Sequence, residues 1–528
     1  MTRRERLLLG VLAALAFVLR VATFFRYRFD SDEQQHLHVV WGWTAGLVQY
    51  RDLFDNHAPL FHMVMAPLLA VLGERSDILL WMRVPMLVLF AIVVWATYAI
   101  ARRLYDERIA AFAAMLLVLF PPYFLKSLEF RNDNLWTALW MLVLLALLRR
   151  RMFVAGVLLG AAFAVSLKTA VLVVALVVGG GSVGVLGGRG VAARDAATSA
   201  GAGRRRSIAQ ALGGFVLVPL AVVVFFVLVG GWDALVFCNF TFNRNFAATR
   251  THLWVGRATF PLMFGAVLWL AWHFRANADR WRYYLAVVAG VFTVTLAGFW
   301  PVISPRDFLP MMPIAAIFAA AALMSSSQPV RAFAIAAAVC LVSLFHYADR
   351  FADRTAWHIT MMDQALRLSH PGEPLIDHKG ETIYRRRPFY FALEIATRTL
   401  ISRGVVRDTI AEDVVRTRTH VAQADGAMWP PRGRAFLSEN FVNLGRLRAS
   451  GQEIREDGTF TIAVPGEYVI VSERGEVRGG LLDGSAYGGA RELGAGAHRF
   501  VGEKKVTVLW APAFRRGHSP YHLRDTEF

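Results

Sequence analysis

The stretch LLLGVLAALAFVLRVATFFRYRFDSDEQQHLH, residues 7–38, joins two regions of opposite character. Residues 7–25 are almost entirely apolar, and basic residues precede them at positions 3, 4 and 6. A helix needs about 20 mostly apolar residues to cross a bilayer, so this run is long enough to do so. The chain then places three carboxylates and two histidines between residues 30 and 38. The pattern predicts a membrane-spanning helix that opens into an ionisable loop.

The composition of the whole chain is that of an integral membrane protein. Of its 528 residues 56% are hydrophobic and 18% are charged, and the mean hydropathy is +0.43; about 25% charged residues is usual in a soluble domain. The net charge of +18 does not indicate nucleic acid, because many Lys and Arg residues flank apolar runs, as the positive-inside rule expects. Two cysteines give neither a disulfide framework nor a Cys-x-x-Cys metal cluster. The first apolar run lacks a convincing cleavage site, so we expect an uncleaved span.

The sequence contains eleven candidate transmembrane helices. They lie at about 7–25, 83–100, 109–125, 134–148, 152–167, 169–187, 211–230, 254–274, 283–300, 308–325 and 332–347. With the N-terminus in the cytoplasm, nearly every basic cluster falls on the cytoplasmic side, and the loops rich in carboxylates fall outside. The predicted fold class is therefore a polytopic α-helical protein of the inner (plasma) membrane.

The chain is predicted to contain two domains. Residues 1–347 form the transmembrane domain, with a first extracytoplasmic loop at 26–82 and a cytoplasmic loop at 188–210. The Gly/Ala/Arg-rich segment around this second loop is typical of a flexible connector. Residues 348–528 are predicted to form a soluble extracytoplasmic α/β domain. It is expected to be β-rich from about residue 455, where apolar and polar residues alternate between glycine-rich turns.

The ionisable loop has a simple structural explanation. Ser31-x-x-Gln34 fits a capping box, with Asp32 and Glu33 in the first helical turn, where the helix dipole favours negative charge. Apolar side chains follow at helical spacing, at Leu37, Val40, Trp41, Thr44, Leu47 and Val48. This pattern predicts an amphipathic helix on the membrane surface, in which the acids merely begin the helix.

A metal site is a second interpretation of the same loop. Its candidate ligands are Asp30, Asp32, Glu33, His36 and His38. Asp32 and His36 are four residues apart and share one helix face. The loop contains no His-Glu-x-x-His motif, so no dedicated metal site is predicted. A loosely bound divalent cation remains open as a cofactor.

Two further segments on the predicted outer side carry charge. Residues 127–134, SLEFRNDN, contain Glu129, Arg131 and Asp133, and Lys168 lies between two apolar runs. A lysine on the extracytoplasmic side departs from the positive-inside trend. It is either a side chain that reaches toward water at a helix end or a cation that holds an anion. Carboxylates at the outer surface suit proton removal from a hydroxyl. Cations there suit a departing phosphate.

Several of these segments match, in order, the motifs of one family. They are Asp32-Glu33, the segment Gly46 to Asp52 with Tyr50, His57-Ala58-Pro59-Leu60, Arg83-Val84-Pro85, Arg131-x-Asp133, Gly156 and Gly160 with Lys168, and Arg306 with Pro310 and Pro313. The chain resembles the bacterial GT-C glycosyltransferases over residues 1–350, most of all the protein-mannosyltransferase-like group and the lipid A aminoarabinose transferases. Asp307 departs from the pattern, because an aromatic residue is common at that position.

The resemblance implies transfer of a sugar from a polyprenyl-phosphate donor to an acceptor outside the cytoplasm, in the synthesis of cell-envelope glycan or glycolipid. It implies that Asp32 is the general base with Glu33 beside it, and that Asp133 and Arg131 shape the site or position the acceptor. It implies a donor phosphate held by Lys168, Arg83 and Arg306. His57 would orient either substrate, and Tyr50 belongs to the same substrate-binding set. The bilayer is an expected partner, and the acceptor is a lipid, a glycan or a protein.

Two other classes of protein remain as alternatives. A transporter or lipid flippase would carry charges within its spans, because intramembrane ionisable residues mark translocation paths; here most charges lie in loops. A GT-C-like assembly partner without catalytic activity would lack the acids of the first loop, and this chain keeps them. Neither the sugar nor the acceptor can be predicted from the sequence.

Overall fold

The computed structural model describes residues 1–187, 197–249, 253–254, 280–300, 302–424 and 426–523. The helices are Arg3–Arg26 (α1), Ser31–Thr44 (α2), Leu60–Leu72 (α3), Ile78–Met82 (α4), Val84–Leu104 (α5), Glu107–Leu119 (α6), Pro121–Lys126 (α7), Asn132–Leu148 (α8), Met152–Val165 (α9), Thr169–Gly187 (α10), Ala197–Leu228 (α11), Trp232–Val236 (α12), Phe242–Ala248 (α13), Arg280–Phe299 (α14), Met312–Met324 (α15), Pro329–Tyr347 (α16), Ala356–Leu368 (α17), Ile395–Ser402 (α18), Ile410–Arg416 (α19), Pro431–Asn440 (α20) and Ala511–Arg515 (α21). A π-helical turn covers Phe237–Thr241, and 3₁₀ helices cover Pro305–Met311 and Asp349–Phe351.

The strands gather mostly in the C-terminal third of the chain. They are Leu253–Trp254 (β1), Val302–Ile303 (β2), Leu375–Ile376 (β3), Val421–Gln423 (β4), Phe441–Asn443 (β5), Leu447–Glu453 (β6), Thr459–Ile462 (β7), Gly466–Ser472 (β8), Gly475–Glu476 (β9), Leu481–Leu482 (β10), Ser485–Ala486 (β11), Arg491–Leu493 (β12), Gly496–Val501 (β13) and Thr507–Trp510 (β14). The predicted β-rich region is confirmed, although paired strands already occur from Leu375.

Six helical segments in the described part of the chain are long and apolar enough to cross a membrane. They are Arg3–Arg26, Ile78–Leu104, Arg205–Leu228, Arg280–Phe299, Pro305–Met324 and Pro329–Tyr347. Shorter apolar helices occupy the predicted spans at 134–148, 152–167 and 169–187. The predicted span at 254–274 falls on residues that, apart from Trp254, lie outside the described ones. The polytopic helical fold class is therefore confirmed, and the count of eleven spans and the orientation of the N-terminus stay predictions.

Two details of the sequence-based helix prediction are wrong. The expected span at 109–125 breaks at Phe120, where Pro121 begins a second helix, because proline lacks the amide hydrogen that would continue the first. Residues 197–210 of the expected cytoplasmic loop begin α11 instead of forming a flexible connector. Alanine and arginine are strong helix formers, and they outweigh the glycines in this segment.

The chain folds into two compact units, and segments of the two units alternate along the sequence. The first, here called the helical unit, contains Met1–Arg28, Asn56–Val64 and Leu80–Arg354. The second, the mixed unit, contains Phe29–Asp55, Met65–Leu79 and Thr355–Phe528. Much of the predicted first loop thus belongs to the same unit as the C-terminal third of the chain. The predicted domain boundary at residues 347 and 348 stays a prediction.

Glycines allow close helix packing in the helical unit. A Cβ at Gly156 would lie 2.1 Å from the carbonyl oxygen of Ala211, and one at Gly160 would lie 2.2 Å from that of Phe215. These two positions are therefore restricted to glycine if α9 and α11 are to keep their separation. Since α9 ends just before Lys168, this packing helps to fix the position of that lysine.

The mixed unit is built on two sheets. The larger has the strand order β12-β8-β14-β6-β4-β3, with β5 beside β6 and β9 beside β8, and the smaller has the order β11-β10-β13-β7. Strands β3 and β4 are parallel, and the other pairs of the larger sheet are antiparallel. A core of buried side chains, among them Leu375, Val421, Tyr468 and Val508, packs against this framework. The parallel pair matters for the site, because the loop after β3 carries the charged residues described below.

Candidate active site

The ionisable stretch after the first span begins helix α2 through a capping box. Asp30 is the N-cap, and its carboxylate accepts a hydrogen bond from the backbone N–H of Asp32 at 3.2 Å. The Glu33 carboxylate accepts from the backbone N–H of Asp30 at 2.8 Å. The predicted box from Ser31 to Gln34 was therefore wrong by one residue, because an aspartate at 30 and a glutamate at 33 form the reciprocal pair. Asp32 and Glu33 lie in the first turn, as predicted.

The predicted surface-lying amphipathic helix is also wrong. Every side chain of α2 from Glu33 to Val40 is buried, whereas a helix on a membrane surface would keep one polar face in water. Before this buried run, Ser31 is exposed and the side chain of Asp32 has 27% of its surface exposed. Among the acids of the helix start, Asp32 therefore has the greatest solvent access.

Lys379 forms an ion pair with Asp32 inside the mixed unit. Its Nζ lies 2.5 Å from Asp32 Oδ1, and its own side chain is only 6% exposed. The lysine belongs to the loop at residues 377–387, DHKGETIYRRR, which follows β3. We call Asp32 together with this segment the Asp32 loop cluster. It supplies the candidate base with a fixed, buried cation.

Hydrogen bonds to two carboxylates fix the backbone around Lys379. Asp377 accepts from the backbone N–H groups of Gly380 and Thr382 at 2.7 and 2.8 Å. Its carboxylate also lies 3.1 Å from the guanidinium of Arg387. The Glu381 carboxylate accepts from the backbone N–H of Lys379 itself at 2.8 Å. The loop is thus held on both sides of the lysine.

The same loop packs directly on α2. Gly380 has a φ of +103°, and a Cβ there would lie 2.5 Å from Cβ of His38. Both the left-handed conformation and the close approach therefore require glycine. His38 Nδ1 lies 2.7 Å from the carbonyl oxygen of Ile383, so this nitrogen donates the hydrogen bond. The loop and the helix that carries Asp32 are joined at two points.

Burial and neighbouring charges together shift the pKa values of the ionisable groups in the cluster. Burial alone would lower the pKa of Lys379, but Asp32 outweighs that effect and the pKa is raised, so the ammonium stays charged. Burial would raise the pKa of Glu381, but His378 and the neighbouring backbone N–H lower it to about 2. Burial also lowers the pKa of His38, despite the opposing charge of Asp377. The cluster thus combines fixed charges with a neutral imidazole near pH 7.

No group of three or more His, Cys, Asp or Glu side chains in the described ranges is placed to hold a metal ion. Four of the five candidate ligands of the first loop have other contacts: Asp30 and Glu33 cap the helix, His38 bonds to a carbonyl, and Asp32 pairs with Lys379. The geometry of these residues does not fit the metal-site alternative. Dependence of the activity on a divalent cation stays untested.

The second acidic motif lies in the helical unit, in a cluster of alternating charges. Its members are Lys126, Glu129, Arg131, Asp133, Lys168, Arg306 and Asp307, here called the seven-residue ion cluster. Glu129 receives Lys126 on one oxygen at 2.7 Å and Arg306 on the other at 2.8 Å. Glu129 is completely buried, so both of its cations are held at fixed positions.

Lys168 joins the other half of this cluster. Its Nζ forms an ion pair with Asp307 and lies 4.0 Å from Asp133 Oδ1. Asp133 Oδ2 accepts a hydrogen bond from Arg131 Nε at 3.0 Å. Burial alone would lower the pKa of Lys168, but Asp307 and Asp133 outweigh it and raise the pKa, so the lysine remains cationic.

The cations of the seven-residue ion cluster are more accessible than its carboxylates. Lys168 is 20% exposed and Arg306 16%, whereas the carboxylates beside them are 6% exposed or less. The cluster holds four cations and three carboxylates, so one positive charge is in excess. Such an arrangement offers an outer layer of hydrogen-bond donors, held in place by buried acids, to an anion.

Neighbouring helices fix the loops that carry these charges. Arg20 of α1 donates to the carbonyl oxygen of Phe124 at 2.7 Å and to Ser127 Oγ at 2.9 Å, just before Glu129. Asn132 donates to the carbonyl oxygen of Val165 at 3.2 Å. These bonds tie the first span and the end of α9 to the loop between α7 and α8. Their role is to hold the seven-residue ion cluster together.

The remaining predicted residues have different surroundings. Arg83 is fully buried in the helical unit and donates to the carbonyl oxygens of Tyr27 and Arg28 at 2.9 Å, contacts that favour a structural role. Tyr50, in the mixed unit, is fully buried at a φ of +72°, and its carbonyl oxygen accepts from the hydroxyl of Tyr390. His57 is half-buried just before α3. Their assignment to substrate binding stays a prediction.

The structure adds Lys379, Lys126 and Asp307 to the residues that sequence analysis selected. A signal for Lys379 was present, because charged residues at 377–381 follow the carboxyl end of β3, where parallel sheets commonly place their sites. Asp307 was regarded only as a departure from the family pattern. It accepts from the backbone N–H of Ser304 at 2.6 Å and pairs with Lys168, so it both begins the 3₁₀ helix and holds the lysine. The convergence of Asp32 with Asp133 stays a prediction.

A cavity of about 790 Å³ lies in the β-rich part of the mixed unit. It is lined by Val469, Glu476, Gly488, Gly489, Ala490, Arg491, Ala511, Phe514 and Arg515. None of the predicted site residues lines this cavity, so its volume gives no support to the site argued above.

Comparison with known proteins matches one segment of the chain to a family model. The family described as dolichyl-phosphate-mannose-protein mannosyltransferase matches residues 56–183, a segment that contains Arg131, Asp133 and Lys168. No curated protein sequence matches the chain.

Among solved structures, the chain is similar to ArnT from Cupriavidus metallidurans. In the apo state that protein has a TM-score of 0.58 and 14% sequence identity, covering 83% of this chain and 97% of that one. Bound to undecaprenyl phosphate it has a TM-score of 0.60 and 15% identity, with the same coverage. The archaeal oligosaccharyltransferase AglB from Archaeoglobus fulgidus, in complex with an inhibitory peptide and a dolichol-phosphate, has a TM-score of 0.46 and 10% identity over 90% of this chain and 74% of that one. The likeness to ArnT shows that the chain shares the fold of that protein, and the family match concerns residues 56–183 of this chain.

Proposed function

We propose that this protein transfers a sugar from a polyprenyl-phosphate donor to a hydroxyl or amine of an acceptor on the extracytoplasmic side of the membrane. The observation that carries the proposal is the seven-residue ion cluster, in which partly exposed cations are held over buried carboxylates. The family match contains five of the seven residues of this cluster, Lys126, Glu129, Arg131, Asp133 and Lys168. The structural relative that binds undecaprenyl phosphate adds support for a phosphate-bearing lipid as the ligand.

The donor phosphate is assigned to Lys168, Arg131 and Arg306. Lys168 and Arg306 are partly exposed, and each of the three side chains has its position fixed by a carboxylate. Ionised donors form hydrogen bonds to phosphate that are roughly twice as strong as those between neutral groups. In the transfer step the bond between the anomeric carbon and the phosphate oxygen breaks, and the leaving phosphate retains the electron pair. The three cations stabilise this developing charge.

The acceptor proton is assigned to Asp32. As the acceptor oxygen or nitrogen forms its bond to the anomeric carbon, its proton passes to the Asp32 carboxylate. Asp32 suits this role because its side chain is partly exposed, while the neighbouring Glu33 is buried in the helix cap. Glu33 is therefore proposed to hold the helix start rather than to take the proton. Asp133, buried between Arg131 and Lys168, is proposed to orient the phosphate-binding cations.

The specific reaction depends on which sugar is transferred and on which acceptor receives it. The family description names mannose and protein. Because the match is confined to residues 56–183, both pentoses and hexoses belong in the test, with lipid, glycan and protein acceptors. A role in cell-envelope glycan or glycolipid synthesis is proposed on the same basis.

The direct test is transfer by the purified full-length protein in detergent or nanodiscs. Synthetic undecaprenyl-phosphate sugars carrying arabinose, aminoarabinose or mannose are offered with each class of acceptor, and products are identified by mass spectrometry. We expect transfer from at least one donor, with release of undecaprenyl phosphate. Retention of every donor, by a protein that binds undecaprenyl phosphate and is well folded, would contradict the proposal. Lipid translocation in vesicles without transfer would support the flippase alternative.

A further inference from the structure

The loop after strand β3 brings a lysine from the C-terminal third of the chain to the candidate base. Lys379 is 347 residues away from Asp32 in the sequence, yet its ammonium is within hydrogen-bond distance of the Asp32 carboxylate. A lysine with a side chain only 6% exposed loses hydration that nearby carboxylates, above all Asp32, must replace. Solvent-exposed ion pairs arise readily, but a buried lysine in a constrained loop requires an ordered framework.

We infer that Lys379 is a positioning residue that holds the Asp32 carboxylate ionised and oriented for proton removal. This inference rests on the proposed function, because it concerns the base of the same reaction. The lysine contacts one carboxylate oxygen and takes no proton in the step. The acceptor proton still passes to Asp32, and the charge of Lys379 opposes its protonation by solvent.

The loop around Lys379 is built in a way that serves this role. Asp377 binds the backbone on the C-terminal side of the lysine, and Glu381 binds the backbone N–H of the lysine itself. Gly380 allows the loop to lie against the ring of His38 on α2. The helix that carries the base and the loop that carries the cation are therefore positioned by the same contacts. An ion pair that only contributed to the stability of the loop would not need contacts that also position the helix carrying Asp32.

Other charged groups around the pair act on it in known directions. On α2 itself, Asp30 and Glu33 flank Asp32, and both are engaged in the helix cap. From the loop and from the start of α18, Glu381 and Glu394 raise the pKa of Lys379 together with Asp32. These acids keep the lysine charged. Replacing the lysine would leave Asp32 among like charges, which favours the protonated carboxyl group.

Lys379→Met tests the inference, because methionine keeps much of the length of the side chain and removes its charge. With the undecaprenyl-phosphate sugar that the wild type turns over, we expect kcat to fall on the order of 10²-fold, as for a misplaced catalytic group. The acid limb of the pH–rate profile should move to higher pH, and affinity for undecaprenyl phosphate should not change. Lys379→Arg should restore part of the rate. It keeps the charge with a different shape.

A matched control separates this effect from general loss of an ion pair. Arg516 pairs with Glu373 at 2.7 Å elsewhere in the mixed unit, with a comparable degree of burial. Arg516→Met should lower thermal stability without moving the acid limb. A Lys379→Met variant that keeps the wild-type rate and pH profile would overturn the inference.

A second measurement does not depend on turnover. A water-soluble carbodiimide modifies protonated carboxyl groups, and peptide mass spectrometry reports modification of Asp32 at each pH. In Lys379→Met the labelling of Asp32 should begin at a higher pH than in the wild type. An identical pH dependence in both proteins would refute the role of Lys379, even if no donor is turned over. Absence of transfer with a shifted labelling curve would instead refute only the proposed function.

Discussion

Asp32 and Asp133, the acids of the two sequence motifs, lie in opposite electrostatic settings. Asp133 is buried in the helical unit, with Arg131 at 3.0 Å and Lys168 at 4.0 Å. Asp32 lies in the mixed unit, 27% exposed, with Lys379 as its close cation. A carboxylate held between two cations is a poor proton acceptor and a good anchor, whereas one that keeps contact with solvent has room for a substrate hydroxyl. The difference favours the proposed roles, anchoring for Asp133 and proton transfer for Asp32.

The two settings also differ in which groups face outward. In the seven-residue ion cluster the cations are the exposed groups and the acids lie beneath them. In the Asp32 loop cluster the acid is the more exposed member of the pair and the cation is buried. The first arrangement presents positive charge to an anion, and the second presents a carboxylate to a neutral hydroxyl or amine.

The largest expected effect is on turnover, and it comes from Asp32→Asn. Asparagine keeps the size of the side chain but not its basicity, and general-base catalysis contributes typically about 10²–10⁴-fold to a rate. We expect kcat to fall by that range, with stability and binding of undecaprenyl phosphate close to wild type. Asp133→Asn should instead lower both stability and undecaprenyl phosphate binding, since it leaves buried cations with one partner fewer. The assignment of the base to Asp32 fails if purified, folded Asp32→Asn turns over at the wild-type rate.

The next effect is on the affinity for the lipid phosphate. Lys168→Met removes a charged donor, and a hydrogen bond to a charged group contributes roughly 1.5–3 kcal/mol. Affinity for undecaprenyl phosphate, measured by a fluorescence binding assay in detergent, should fall by roughly one to two orders of magnitude.

This variant also leaves Asp307 without its lysine, so stability needs a control. The double variant Lys168→Met/Asp307→Asn should recover stability and not affinity. Arg108→Met, which breaks the pair with buried Glu5 in the same unit, should lower stability and leave affinity unchanged. Wild-type affinity in Lys168→Met would remove the lysine from the phosphate site.

The sequence was informative where a residue's role depended on its neighbours in the chain. The first span, the acids of the first turn of α2 and the conspicuous Lys168 were all predicted from local pattern, and the polytopic fold class followed from the apolar runs. The N-cap was misplaced by one residue, because Asp30 and Ser31 are both good caps and the local pair of Asp30 with Glu33, which forms the capping box, was overlooked.

Ion pairs between residues far apart in the sequence could not be predicted from local sequence patterns. Lys379 lies 347 residues from Asp32, and Asp307 lies 139 residues from Lys168. The assignment of residues 29–55 to the same unit as the C-terminal third was missed for the same reason. A single sequence carries no signal for which distant cation will meet which acid, so the partners of both acids had to come from the structure.

A smaller effect tests the framework that holds Lys168. In Gly160→Ala the new Cβ would lie 2.2 Å from the carbonyl oxygen of Phe215, so α9 and α11 must separate. Overpacking of this kind costs about 1–3 kcal/mol, which should lower the melting temperature of the protein in detergent. Gly213→Ala is the matched control on α11, because a Cβ added at Gly213 would meet no neighbouring atom within 4 Å.

That control should be neutral or slightly stabilising, since alanine has a higher helix propensity than glycine. Equal melting temperatures for Gly160→Ala and the wild type would show that the close helix packing does not support the site.

The smallest effect concerns how α2 is held in the mixed unit, and it depends on pH. His358 Nδ1 lies 2.8 Å from Gln34 Nε2, so the neutral ring accepts a hydrogen bond from the amide. Burial lowers the pKa of His358 to about 4. An unfolded histidine has a pKa of about 6.5, so between these values the unfolded chain binds more protons and stability falls as the pH falls. Near pH 6 the loss is about 1 kcal/mol relative to neutral pH.

His358→Gln keeps a hydrogen-bond acceptor for Gln34 and cannot titrate. Thermal unfolding of the full-length protein at pH 7.5 and at pH 6 should therefore show a smaller drop in the variant than in the wild type. His498→Gln is the control of opposite sign, because Asp483 raises the pKa of His498 against the effect of its partial burial. The stability that His498 contributes is present below about pH 6.5 and is lost as the pH rises through its raised pKa. If the wild type and His358→Gln lose the same stability over this interval, the neutral imidazole does not hold Gln34, and the anchoring of α2 beside Asp32 must come from the Lys379 loop alone.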